Sequence, residues 1–126
     1  MKFYRCNVCG NLVELINVGV GELVCCGEAM EELAAKTEDG GREKHLPVVE
    51  QEGDKITVKV GSVAHPMGEA HYIQWIVIAY NNKFERASLK YADEPTSTFV
   101  FNEPFTEMEV YEYCNVHGLW KTIYKA

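Results

Sequence analysis

Hydrophobic and polar residues alternate with the period of a β-strand through much of the chain after residue 55. Ile56, Val58 and Val60 are separated by polar or small residues, which is typical of a strand with one buried face. The run from His71 to Tyr80 is apolar on both faces, as in the central strand of a sandwich. Further short strands, separated by turn residues, are predicted over 84–91, 98–101, 108–116 and 119–124. This spacing predicts an antiparallel β-sandwich of about seven strands.

The first 36 residues differ in character from the rest of the chain. They contain short apolar runs interrupted by glycines, and only 28–36 has weak helical character. About 35 residues cannot bury enough apolar surface to fold alone without a staple such as a metal. A polar stretch with paired glycines follows over 36–44 and is typical of a linker or mobile loop. We therefore expect a small domain over 1–36 and a β-sandwich domain over 37–126.

The composition limits the classes of function. The 126 residues are 47% hydrophobic and carry a formal net charge of −7, as in a folded globular protein. Neither a nucleic acid nor an anionic membrane is an expected partner, because binding to either requires clustered lysines and arginines. No apolar run reaches the length of a membrane span, about 18 residues, and residues 1–6 show no secretory apolar region. The expected location is the cytoplasm.

Four of the five cysteines fall within the first 26 residues. Cys6 and Cys9 form a Cys-x2-Cys pair, and fifteen residues separate them from the adjacent Cys25 and Cys26. In a reducing compartment such clusters hold metal more often than they form disulfides. A four-thiolate site for zinc or iron is therefore expected, with two disulfides as the alternative. Neighbouring Cα atoms lie only about 3.8 Å apart, so the adjacent pair predicts a distorted tetrahedron.

The fifth cysteine and all four histidines form a second candidate group. Its members are His45, His65, His71, Cys114 and His117. Taken singly, each histidine is more often a surface or core residue, and the cysteine a small buried hydrophobe. Taken together, the histidines all neighbour predicted turns and none is left over, which favours a shared metal. Imidazoles with one thiolate suit iron and give a cationic site with one open position, whereas four thiolates give an anionic, closed site.

Both candidate groups lie within longer sequence motifs. The motifs are Cys6-x2-Cys9 with Cys25-Cys26, Glu43-Lys44-His45-x-Pro47, Ser62-Val63-Ala64-His65-Pro66-Met67, His71-Tyr72-Ile73-x-Trp75-Ile76 and Cys114-Asn115-x-His117-Gly118. Together they resemble the desulfoferrodoxin family, the two-iron class of superoxide reductase, over essentially the whole chain. The single soft variation is Leu46, where the family commonly has a smaller β-branched residue.

The resemblance implies a desulforedoxin-like N-terminal domain followed by an immunoglobulin-like antiparallel β-sandwich, with one mononuclear iron in each. The first iron would be rubredoxin-like and held by the four N-terminal cysteines. The second would be square-pyramidal, with the four histidines equatorial and Cys114 axial. The reaction would be the one-electron reduction of superoxide to hydrogen peroxide without forming oxygen. Lys44 would attract the anion, and Glu43 would occupy the sixth position in the oxidised state.

The resemblance also implies a homodimer, and a rubredoxin or similar small protein as electron donor. Two other functions stay open on the residues alone. One is a rubredoxin-like electron carrier in which only the four-cysteine iron is redox active and the histidines are structural. The other is a zinc-stapled interaction module without redox function. Optical spectra separate the three, because each predicts a different set of iron–thiolate bands.

Overall fold

The computed structural model describes residues 1–38 and 44–126. The chain divides into two compact units, Met1–Ala34 and Ala35–Ala126. The regular secondary structure of the described residues consists of β-strands alone. No helix in those residues has the length and apolar character needed to cross a bilayer.

The first unit is built from five very short strands. They are β1 (Phe3–Arg5), β2 (Leu12–Glu14), β3 (Val24–Cys25), β4 (Glu28–Ala29) and β5 (Glu31–Glu32). Strands β2, β1 and β5 form an antiparallel sheet in that order, and β3 pairs with β4 as a separate hairpin. The weak helical character noted over 28–36 is therefore not realised in the structure. Two strands lie there instead, because pairing with β1 supplies interstrand hydrogen bonds that a short uncapped helix lacks.

The second unit contains seven strands in two antiparallel sheets. They are β6 (Pro47–Glu52), β7 (Lys55–Val60), β8 (Ile73–Tyr80), β9 (Lys83–Ser88), β10 (Thr96–Val100), β11 (Glu107–Cys114) and β12 (Gly118–Lys125). One sheet has the order β10-β7-β6 and the other β12-β11-β8-β9. The predicted antiparallel sandwich of about seven strands is confirmed.

The core of the second unit joins the two sheets. Ile56 and Val58 of β7 belong to the same buried cluster as Ile76 and Ile78 of β8 and Val110 of β11. Ile56 and Val58 are the alternating positions that the sequence pattern placed on the buried face of β7. The strand β6 was not assigned from the sequence. It lies at a sheet edge, begins with a proline, and is largely exposed toward its end, so it lacks a regular apolar pattern.

A β-bulge interrupts the pairing of β8 with β11 near the start of β8. Tyr113 pairs with Trp75, yet the next residue, Cys114, pairs with Ile73, so Gln74 is the extra residue. The bulge changes which face the start of β8 presents. As a result Ile73 joins the same buried cluster as Cys114, whereas Trp75 stacks on Tyr113. The residues that precede β8 are thereby brought to the side of the sheet on which Cys114 lies.

Candidate metal centres

The four N-terminal cysteines lie together in the first unit. Their sulfur atoms all lie within 4.8 Å of one another. The Sγ atoms of Cys9 and Cys25 are 3.7 Å apart, and those of Cys25 and Cys26 are 3.9 Å apart. Metal–thiolate bonds of about 2.3 Å in a regular tetrahedron separate two sulfurs by about 3.8 Å. The four residues therefore fit a tetrahedral metal ion. All five cysteines of the chain are described, and none forms a disulfide.

The Cys-x2-Cys segment forms a tight turn that aims backbone N–H groups at sulfur. The amide of Gly10 donates to the Cys6 carbonyl at 3.0 Å, and Gly10 has a φ of +83°, which suits glycine. The amide of Cys9 lies 3.4 Å from the Cys6 sulfur, and the amide of Asn11 lies 3.5 Å from the Cys9 sulfur. Such N–H donors stabilise negative charge on the sulfurs.

The adjacent cysteine pair sits at a two-residue hairpin turn. Cys25 pairs with Glu28, so Cys26 and Gly27 form the loop between β3 and β4. Both loop residues have positive φ, +54° and +74°, as in a type I′ turn. The left-handed conformation of Cys26 lets neighbouring side chains reach the same point, which an extended strand would prevent. For this reason the adjacent sulfurs of Cys25 and Cys26, 3.9 Å apart, lie close to the tetrahedral separation despite the expected distortion.

Protonation in this cluster is uneven. The backbone N–H of Cys9 lowers the pKa of Cys6 to about 6, against the smaller opposing effect of burial. The neighbouring thiol groups, Cys9 first, raise the pKa of Cys26 to about 12. Four thiolates at this spacing repel one another unless a cation lies between them. A bound metal ion would therefore release the remaining thiol protons.

The four histidines of the second unit form a closed ring. Neighbouring ring centroids are separated by 4.9 Å for His45 and His65, 4.8 Å for His65 and His71, and 5.0 Å for His71 and His117. His117 returns to His45 at 4.8 Å. All four contacts are edge-on, with interplanar angles of 70° to 87°. Four nearly equal sides describe a closed ring of four imidazoles, here called the imidazole square.

Cys114 completes this group from the end of β11. Its sulfur and the ring nitrogens of His45, His65 and His71 all lie within 4.8 Å of one another. His117 is not part of that close set, but its ring contacts His45 and His71, and its amide donates to the Cys114 sulfur at 3.3 Å. The structure thus brings together all five residues that the sequence selected, three histidines and the cysteine most closely.

Hydrogen bonding and burial prepare His65 and His71 to bind a metal. The Nδ1 atom of His65 lies 2.6 Å from the Pro66 carbonyl, which can only accept, so Nδ1 carries the proton. The Nε2 atoms of His65 and His71 are buried and lack a hydrogen-bond partner among the described residues. Burial lowers the pKa of His65 to about 4 and also lowers that of His71. Both imidazoles therefore present a neutral nitrogen lone pair.

Cys114 is fully buried, and burial raises the pKa of its thiol. Hydrogen bonds from the backbone N–H groups of His117 and Val116 and, more weakly, the charge of Lys36 act in the opposite direction. A buried thiolate requires a cation as partner. Four imidazoles and one thiolate are borderline and soft ligands, which suit iron.

One side of the histidine ring opens into a cavity of about 340 Å³. It is lined by Lys44, Pro66 and the four histidines. Lys44 is exposed at this cavity and is a described residue, whereas Glu43 lies outside the described residues. The pocket has room for a small anion beside the point that the imidazoles surround.

The structure adds residues that the sequence analysis did not select. Trp120 stacks on His45, with ring centroids 4.6 Å apart and an interplanar angle of 14°. The side chain of Asn115 accepts a hydrogen bond from the Tyr72 amide at 2.9 Å and donates to the Ala70 carbonyl at 3.1 Å. Asn115 thereby joins the turn after Cys114 to the segment around His71. The sequence signal that could have identified Asn115 is its place in the Cys114-Asn115-x-His117 motif.

The fold and the two ligand groups define an all-β protein with a tetrahedral thiolate site in one unit and a histidine–cysteine site in the other. The family model described as desulfoferrodoxin matches residues 37–123, and the model of the desulfoferrodoxin N-terminal domain matches residues 1–33. The chain belongs to the desulfoferrodoxin family. The resemblance and the fold class inferred from the sequence are thus confirmed.

Relatives match almost the whole chain. A desulfoferrodoxin homolog of Archaeoglobus fulgidus is 49% identical over 122 residues, covering 97% of this chain and 96% of the relative. The desulfoferrodoxin of Syntrophotalea carbinolica is 49% identical over 123 residues, covering 97% and 95%. The superoxide reductase of Treponema pallidum has a similar structure, with a TM-score of 0.79, 31% identity and 96% coverage of both chains. A superoxide reductase (1Fe-SOR) of Giardia intestinalis, with a TM-score of 0.62 and 25% identity, covers 68% of this chain and 100% of its own.

Proposed function

We propose that this protein is a superoxide reductase, which combines superoxide with one electron and two protons to give hydrogen peroxide. The observation that carries the proposal is the square of four imidazoles that opens into a cavity beside Lys44. A closed ligand set would serve only to store or pass an electron, whereas an open one admits a reactant. The solved structures similar to this chain include proteins named superoxide reductase.

In this proposal each unit holds one mononuclear iron. The reactive iron would be held by His45, His65, His71, His117 and Cys114. The second iron would be held by Cys6, Cys9, Cys25 and Cys26. Iron bound at the histidine–cysteine site would supply the electron that superoxide receives. The proposed division into a four-cysteine domain over 1–36 and a catalytic domain over 37–126 is supported by the two ligand sets and, to within two residues, by the compact units Met1–Ala34 and Ala35–Ala126.

Lys44 is proposed to draw superoxide into the cavity. Lys44 lines the cavity in a protein of net charge −7, so it provides local positive charge where the overall field repels an anion. The Pro66 carbonyl holds the ring proton of His65 on Nδ1. This histidine would therefore bind the metal through Nε2 as a neutral ligand and supply no proton. Glu43, from its place in the family motif beside Lys44, is proposed to close the open position in the oxidised state.

The electron donor is proposed to be a rubredoxin or a similar small protein, and the location the cytoplasm. The absence of disulfides among the five cysteines agrees with a reducing compartment. Removal of superoxide without release of oxygen would make this an enzyme of detoxification and of electron transport.

A homodimer is also proposed, through the first unit. Ile16, Val18 and Val20 are 80%, 64% and 106% exposed there, an unusual loss of apolar burial for so small a unit. A lysine in place of Val20 should shift the protein toward monomer in analytical ultracentrifugation. Val18 and Val20 line a surface groove of the first unit. Val24 is 59% exposed but does not line this groove, so Val24→Lys is the matched control. Equal sedimentation of the Val20→Lys variant and wild type would contradict this assembly.

The experiment that tests the function is rapid mixing of the reduced, iron-loaded protein with superoxide. The proposal predicts one hydrogen peroxide for each superoxide consumed, with no oxygen released. Formation of oxygen with half as much peroxide would show dismutation instead. An electron carrier would show only the bands of the four-cysteine iron and no direct reaction with superoxide.

A further inference from the structure

Lys36 is held beside the histidine–cysteine site by its backbone. Its amide donates to the Leu119 carbonyl at 2.9 Å, and its carbonyl accepts from the Lys121 amide at 2.9 Å. These two bonds make a parallel bridge to Trp120 along the free edge of β12. The position of the Lys36 Cα atom is therefore fixed by the sheet, although its side chain is exposed.

The ammonium of Lys36 lies on the turn that carries His117. Its Nζ donates to the His117 carbonyl at 2.9 Å, and the indole N–H of Trp120 donates to the same carbonyl at 3.2 Å. The Nζ atom also lies 5.0 Å from the centroid of the Trp120 ring, a cation–π distance. Lys36 thus contacts both the turn and the ring that packs beside it.

Both of these contacts lead directly to candidate metal ligands. His117 supplies its ring to the imidazole square and its amide to the Cys114 sulfur at 3.3 Å. Trp120 stacks on His45 at 4.6 Å. Among residues 1–38 and 44–126, no carboxylate forms a salt bridge with Lys36. Within the described part of the chain, its charge is therefore directed at a carbonyl and an aromatic ring.

We propose that Lys36 is a positioning residue of the histidine–cysteine site, which holds the His117 turn and Trp120 and makes the bound iron easier to reduce. The second half of this inference rests on the proposed function, since it concerns iron at that site. A positive charge near a redox centre favours the state of lower positive charge, here the ferrous one. Lys36 differs from Lys44 in this respect, because it acts on the ligands rather than on the approaching anion.

The test compares Lys36→Met, Lys36→Arg and a matched control, Lys121→Met. Methionine keeps the length and apolar stem but removes the charge and the hydrogen bond. Lys121 is the adjacent lysine on β12 and also combines a hydrogen bond, to Glu109 at 3.0 Å, with a cation–π contact, to Tyr111 at 5.5 Å. It therefore matches Lys36 in formal charge and in having a cation–π contact, but its hydrogen-bond partner is a carboxylate and it does not touch the His117 turn.

The first measurement is amide hydrogen exchange at His117 and Gly118 in the zinc-loaded full chain, where no redox chemistry takes place. Lys36→Met should speed this exchange by about threefold or more, the effect of losing one solvent-exposed hydrogen bond. Lys36→Arg should restore it, and Lys121→Met should leave it unchanged.

The second measurement is the reduction potential of the iron at the histidine–cysteine site. Lys36→Met should shift the ferric–ferrous equilibrium toward ferric by about threefold to tenfold. This corresponds to a potential lower by about 28 to 59 mV at 59 mV per tenfold change. The proposal requires both effects, so an unchanged exchange rate or an unchanged potential in Lys36→Met overturns it, as does an equal effect of Lys121→Met. Failure of the wild-type protein to reduce superoxide would overturn the proposed function instead.

Discussion

Replacing Lys44 with isoleucine is expected to slow the reaction of superoxide with the reduced, iron-loaded protein by about tenfold. Lys44 lines the cavity over the imidazole square. After burial and the neighbouring His117, its positive charge is one of the causes that lower the pKa of His71. The substitution removes this charge and leaves the ligand residues in place. The absorption spectrum of the iron should therefore change little.

The expected magnitude follows from the charge and its distance to a reactant in the cavity. Two opposite unit charges about 6 Å apart attract by about 0.7 kcal/mol in water and by about 2.8 kcal/mol at an effective dielectric constant of 20. A tenfold effect corresponds to about 1.4 kcal/mol, which lies between these limits and suits a side chain that is exposed beside a recessed site. Carboxylates farther away than the Debye length of about 8 Å are screened, so the net charge of −7 does not cancel this local attraction.

The assay is rapid mixing with superoxide at several salt concentrations. Wild type should react more slowly as salt increases, and Lys44→Ile should be slower at low salt and less dependent on salt. Lys55→Ile is the matched control, because it removes the same charge from the start of β7, away from the cavity lining. A Lys44→Ile rate equal to wild type, with the same salt dependence, would refute the attraction of superoxide by Lys44.

Four further substitutions test other parts of the structure. Cys9→Ser should remove the metal of the first unit and destabilise that unit, while superoxide reduction with a directly supplied reductant stays near wild type. Metal analysis and kinetics measure the two effects, and a loss of activity would contradict the prediction. Cys114→Ser should abolish superoxide reduction even in protein that retains iron, because a hydroxyl donates less electron density than a thiolate. Glu43→Ala should alter the oxidised iron spectrum but spare the encounter rate, and an unchanged spectrum would exclude Glu43 from the open position. Asn115→Ala should lower the free energy of unfolding of the second unit by about 0.5 to 1.5 kcal/mol, measured by denaturant titration, because it removes a part-buried hydrogen bond to the Tyr72 amide and an exposed one to the Ala70 carbonyl.

The sequence predicted the parts of the fold that depend on local pattern. Alternation located β7, and the doubly apolar run located β8, because a buried face requires apolar residues at every second position. The edge strand β6 has no such requirement on its exposed residues and was not assigned. The weak helical character of 28–36 did not predict its structure, because the local preference of this segment is weak and pairing with β1 decides its conformation.

The candidate site divides in the same way. Residue type and number were enough to select the two ligand groups, because cysteine and histidine are few and chemically distinctive. The stacking of Trp120 on His45 could not be selected, since a tryptophan in a strand is usually part of a core. Nor could the bulge at Gln74, which exists only in the pairing of β8 with β11. Both features depend on contacts between residues far apart in the sequence.

Among the described residues, neither ligand set is split between the two units, so each unit carries the ligands of its own metal. All four cysteines of one set come from Met1–Ala34, and every member of the other set comes from Ala35–Ala126. A truncated gene would still encode a whole histidine–cysteine set, and a fusion would add a whole thiolate set. The full-length match of the Giardia protein to about two thirds of this chain has the extent of such a shortened form. A chain reduced to Ala35–Ala126 would therefore lose one complete metal site and keep every residue of the other.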